Sequence, residues 1–118
     1  MVALIDFEDA TYGSMISDIS TSVAHYMMDK EDPIFVAVHI LKGYSRKRKI
    51  LEEELNCLFD QIETVALINV VVGAYKFIVS PSNHYGFHYL NPSLKLLEQL
   101  DKIGRNEALK IFKNSIEN

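Results

Sequence analysis

Ala66-Leu67-Ile68-Asn69-Val70-Val71-Val72-Gly73-Ala74-Tyr75 decides the fold, because this run reads two ways. Val70-Val71-Val72 by itself is good strand sequence. The flanks choose helix. Upstream, Leu51, Leu55, Leu58, Phe59, Ile62 and Val65 recur at spacings of three and four among Glu52, Glu53, Glu54, Asp60 and Glu63. The acids at the start suit the positive end of a helix dipole. The prediction is one long helix from Leu51 to about Val79, stopped by Ser80-Pro81-Ser82-Asn83. From Thr64 onward it is apolar nearly all round, which predicts burial on most sides. Asn69 is a lone polar residue in that wall and needs a partner. Gly73 permits close approach of a neighbouring helix.

Other helices are expected on both sides. Ile16, Ile19, Val23, Tyr26 and Met27 form one apolar face behind a Ser14 cap. His25 on that helix reads as partly buried or surface. Asp32-Pro33 is a cap followed by proline at the first helical position, opening a helix to about Ser45. His39 within it reads as a packed, hydrogen-bonded histidine. Ser45-Arg46-Lys47-Arg48-Lys49 reads as a solvated helix end, with phosphate binding as its alternative. His84 to Leu90 is an aromatic loop whose rings anchor it, and Gly86 argues against a metal shared by His84 and His88. Asn91-Pro92 starts another helix with Leu94, Leu97, Leu100 and Ile103 inward, closed by Gly104. A last helix carries Ala108, Leu109, Ile111 and Phe112.

The chain has 118 residues, enough for one small domain covering 1–118. It is 48% hydrophobic and 24% charged, a globular balance. A net charge of −4 disfavours a nucleic-acid partner. Cys57 is alone, so no internal disulfide forms, and its apolar neighbours predict core packing. Met1 runs straight into an apolar segment, so no signal peptide is expected, and no uninterrupted apolar run reaches a span of roughly 18 residues. No membrane partner and a cytoplasmic location are the expectation.

The N-terminal stretch Val2-Ala3-Leu4-Ile5-Asp6-Phe7-Glu8-Asp9 is a short apolar run ending in carboxylates. It reads as a buried strand delivering Asp6 to a sheet edge. Asp6 with Glu8 or Asp9 is oxygen-donor equipment for a hard divalent cation, whereas the structural alternative is a turn or helix cap. The fold class expected is thus mainly α, about five helices behind one short N-terminal strand. Asp18 lies inside the first helix, either solvent-facing or needing partners if buried.

The composite Ile5-Asp6-Phe7, Asp9-Ala10, Gly13, Asp18-Ile19-Ser20 resembles the opening of the C-terminal third of the aminoglycoside phosphotransferase family of small-molecule kinases. Tyr26-Met27-Met28, Pro33-Ile34, Gly43-Tyr44 and Ala74-Tyr75 make it look most like the hydroxylysine kinase branch, with homoserine and choline kinases more distant. The resemblance implies the C-terminal part of a protein-kinase-like fold. It implies that Asp6 holds the magnesium of ATP, that Asp18 braces the catalytic loop, and that Glu8, Asp9, Tyr12 and Tyr44 line a pocket for a cationic amino alcohol. The family's nucleotide-gripping lysine and its His-Gly-Asp catalytic loop are not found here, and no catalytic residue is assigned. Phosphoryl transfer needs several such parts at once, so the chain alone is expected to be inactive and to bind neither ATP nor magnesium tightly. Its partner would be the missing N-terminal kinase part, or a second copy paired through the exposed strand edge. The alternatives are a non-catalytic helical interaction module, marked by an exposed apolar patch, and an unrelated helical regulator in which the Asp6 motif is fortuitous.

Overall fold

The structure, a computed structural model, describes Ala3 and residues 12 to 117. It contains five α-helices: α1 (Met15–Met27), α2 (Pro33–Ser45), α3 (Glu52–Val79), α4 (Leu90–Ile103) and α5 (Arg105–Glu117), with a short 3-10 turn at His84–Phe87 before α4. The expectation of a mainly α fold opened by one short N-terminal strand is corrected here. Every regular element among the described residues is helical, with no strand and no sheet. A strand needs a second strand to take up its backbone groups, and these residues supply none. Residues 2 to 5, on which the strand was predicted, lie outside the described residues apart from Ala3, which is exposed in no regular element.

Local chemistry sets the helix ends. Asp32 Oδ1 accepts the Phe35 N–H at 2.9 Å, and Pro33 occupies the first helical position, as the sequence indicated. Ser14 stands at the α1 cap without a side-chain bond. At α3, Leu51 has no side-chain acceptor, and Glu54 instead accepts the Leu51 N–H at 2.9 Å. Gly104 closes α4 at φ 77°, a backbone state that side chains disfavour.

α3 is the axis of the molecule, with α1, α4 and α5 packed on it and α2 packed against α1 and α5. The core is built from Ile16, Val23 and Met27 of α1, Ala37 and Leu41 of α2, Leu58 and Ile62 of α3, Leu96 and Leu100 of α4, and Phe112 of α5. The extents are 47 × 42 × 24 Å. The short dimension is about two helix diameters, so the helices lie in a thin slab, and among the described residues the outer side of the carboxy-terminal half of α3 is exposed.

Several inward faces differ from expectation. Tyr26 is exposed, because α1 buries Ser20 and Ala24 instead. On α4 the buried line is Ser93, Leu96 and Leu100, while Leu94 faces out. The helix starts at Leu90, and Ser93 turns its hydroxyl to Met28 Sδ at 3.6 Å, which sets the α4 face. Cys57, expected in the core, is exposed, as its place opposite the buried line of Leu55, Phe59 and Ile62 requires.

Candidate interaction surface

The largest departure from the sequence reading concerns the run that decided the fold. It is helix, as its flanks indicated, but it is not buried. Leu55, Leu58, Phe59, Ile62, Ala66 and Gly73 follow one line along α3 and are covered. On the opposite side Leu67, Ile68, Val71, Val72, Tyr75, Ile78 and Val79 stand in solvent, with Val71 60%, Tyr75 65% and Ile78 77% exposed. Ile68, Val71, Tyr75 and Ile78 are spaced three, four and three residues apart, which puts them on one stripe. These four residues carry no charge, and Lys76 runs beside the 3-10 turn, where a Cβ on Gly86 would meet its Cδ at 3.2 Å.

The covered line explains why α3 stays in place. A Cβ on Gly73 would meet Leu90 Cβ at 3.0 Å and Leu90 Cα at 3.4 Å, so the missing side chain is what lets α4 approach. Phe77 and Phe87 meet edge to face at 5.3 Å, tying the end of α3 to the 3-10 turn. His25 meets Tyr89 in the same way at 5.3 Å, and its Nδ1 lies 2.8 Å from Thr21 O. These rings are anchors, as expected, although Tyr85 is exposed. Asn69 Nδ2 is buried without a partner, so the need foreseen for it is unmet within the described residues.

The other half of α3 carries the polar network. Arg48 grips Glu54, with Nη1 3.1 Å from Oε2. The Arg48 guanidinium and then the Leu51 N–H hold the Glu54 carboxyl below its ordinary range. Arg105 binds Asp60 through Nε at 2.8 Å and the Asn56 carbonyl through Nη2 at 2.8 Å. Burial, then the neighbouring Asp60 and Asp101, push the Glu63 carboxyl up. Arg48 is therefore structural, while Arg46, Lys47 and Lys49 of the basic segment are exposed. A cleft of about 400 Å³ between that segment and α5 is edged by Lys49, Glu52, Lys113 and Glu117, an even mixture of signs.

The residues assigned through the family resemblance are scattered. Asp6, Glu8 and Asp9 lie outside the described residues. Tyr12 is fully exposed, so it packs on nothing described. Tyr44, at the end of α2, is half-buried against the core, with the Arg48 guanidinium 6.0 Å from its ring centre. Asp18 is exposed in the first turn of α1. His39 is hydrogen-bonded to Phe35 O at 2.8 Å and stacked on the Phe35 ring, on an exposed part of α2. No group of three or more metal-binding side chains occurs among the described residues. The three carboxylates at positions 6, 8 and 9 are hard oxygen donors, a set chemically suited to magnesium.

Sequence comparison finds relatives among kinases. The chain is 24% identical over 110 residues to hydroxylysine kinase of Bos taurus, 23% to that of Xenopus laevis and 26% to that of Mus musculus. Each match takes in 92% of this chain and 29% of the relative, so the chain spans about three tenths of the length of the proteins it matches. No family model matches, and no solved structure matches.

Proposed function

We propose that the chain is the helical portion of an ATP-dependent small-molecule phosphotransferase acting on an amino alcohol of the hydroxylysine kind, and that it does no chemistry alone. One observation carries this reading: nearly the whole chain aligns with one stretch of hydroxylysine kinases that is under a third of their length. In that setting Asp6, with Glu8 or Asp9, would hold magnesium, which neutralises phosphate charge when bound with the nucleotide. Glu8, Asp9, Tyr12 and Tyr44 would receive the cationic amine, and Asp18 would brace a loop contributed by the complementary portion. The site of action is the cytoplasm. A non-catalytic interaction module derived from the same ancestry is the second reading, favoured by the bare apolar stripe on α3.

The test is a chimera. The chain replaces the matched segment of the bovine kinase, and ATP-dependent phosphorylation of hydroxylysine is measured. Activity above background is expected, falling more than about a hundredfold with Asp6→Asn, since a direct metal ligand matters at least as much as its supporting residues. The isolated chain should give no product. A folded chimera without activity, or one indifferent to Asp6→Asn, overturns the phosphotransferase reading and leaves the module.

A further inference from the structure

We propose that the chain pairs with a second copy of itself through the outer stripe of α3, the two helices running antiparallel. The proposal is independent of the kinase reading. Its basis is the contrast between two sides of one helix. The covered line is closed by α1 and α4, while seven apolar side chains from Leu67 to Val79 face water without a charge among them. With roughly 100 Å² showing on each, the stripe offers about 700 Å² per copy, close to the ~800 Å² that each partner buries in a standard stable interface. Isolated exposed leucines and valines are ordinary on a protein surface, but a continuous stripe of this size is not.

Charge fixes the direction. The amino-terminal half of α3 carries Glu52, Glu53, Glu54, Asp60 and Glu63. A parallel pair sets these acids side by side and repels. An antiparallel pair centred between Val71 and Val72 brings Ile68 of one copy to Tyr75 of the other. At a rise of 1.5 Å per residue it leaves the two Glu53 positions about 55 Å apart.

A lipid partner fits less well. α3 does hold an 18-residue window of mean hydropathy 1.7, long and apolar enough to cross a membrane by length and composition. Yet Ile62, Ala66 and Gly73 are pressed into the other helices, and α4 beside it exposes Lys95, Glu98 and Lys102. Entry into a bilayer would drag those charges along, at a cost of about 2.5–3.5 kcal/mol for each cation at the centre.

Sedimentation equilibrium on the full chain at tens of micromolar tests the proposal. The expected mass is twice the 13.5 kDa of one copy. Val71→Lys, at a position that is solvent-exposed, should weaken association more than about thirtyfold, the loss typical of a central interface residue. Its far-ultraviolet circular dichroism should not change. In a Cys57→Ser background, Val72→Cys should cross-link on mild oxidation and Leu67→Cys should not. A monomer at every concentration overturns the proposal. So does a dimer unaffected by Val71→Lys, equal cross-linking at both positions, or a monomeric chain that instead floats with phosphatidylcholine vesicles.

Discussion

The two halves of α3 form one continuous helix and live in different surroundings. From Leu55 to Ala66 the helix is amphipathic and its apolar side disappears into the core. From Leu67 to Val79 it is more apolar still, yet most of its large side chains are in solvent. Hydrophobicity therefore measures how much surface a segment would benefit from burying. It does not identify the partner that buries it. In the first half that partner is within the chain, and in the second half, among the described residues, the Gly73 side alone is covered.

Truncation separates the halves most sharply. Leu58→Ala removes a fully buried side chain and should cost about 3 kcal/mol of unfolding free energy. Val71→Ala, also in the interior of the helix but facing out, should cost under about 0.5 kcal/mol in monomeric protein. Urea unfolding of both variants at low concentration checks this, and equal losses would erase the distinction. Gly73→Val probes the buried glycine of the second half. Leu90 stands where the new side chain would go, so overpacking should cost about 2 kcal/mol despite the better helix former.

Two acids sharpen the account of the first half. Glu54→Ala should cost about 1 kcal/mol at neutral pH by removing the pair with Arg48 and the reach-back bond to Leu51. Because the folded carboxyl sits below its ordinary value near 4.5, its contribution is complete above that pH. It is lost as pH falls through the lowered folded value, so wild type and variant should converge in acid. Glu63 behaves in the opposite sense. Its folded carboxyl is raised, so ionisation begins to oppose folding as pH rises above the ordinary value near 4.5 and does so fully above the folded value. Glu63→Gln should raise the melting temperature slightly at pH 7, with the gain absent below the ordinary value near 4.5. A destabilised variant at pH 7 would contradict this placement of Glu63 between Asp60 and Asp101.

Helices were legible because caps and periodicity are local. Asp32-Pro33 and the Ser80-Pro81 stop marked ends that the structure keeps within a residue. On α4 Leu97, Leu100 and Ile103 do face the core, but Leu94 faces out and the buried line runs through Ser93, a polar residue that no hydrophobic pattern selects. Burial of the α3 run was overstated for a deeper reason. Periodicity finds a face, but coverage depends on elements distant in sequence, and among the described residues none covers the outer side of this run. The candidate carboxylates at 6, 8 and 9 were visible only as a motif, since their cation would be shared with phosphates and with residues found nowhere in this chain.

Hydrogen–deuterium exchange along α3 as a function of protein concentration tests the central contrast most directly. The account predicts that amides from Leu55 to Ala66 are protected to the same degree at every concentration. Those from Leu67 to Val79 should exchange faster when dilute and gain protection as copies associate. Uniform protection along the whole helix, unchanged by dilution, would contradict it.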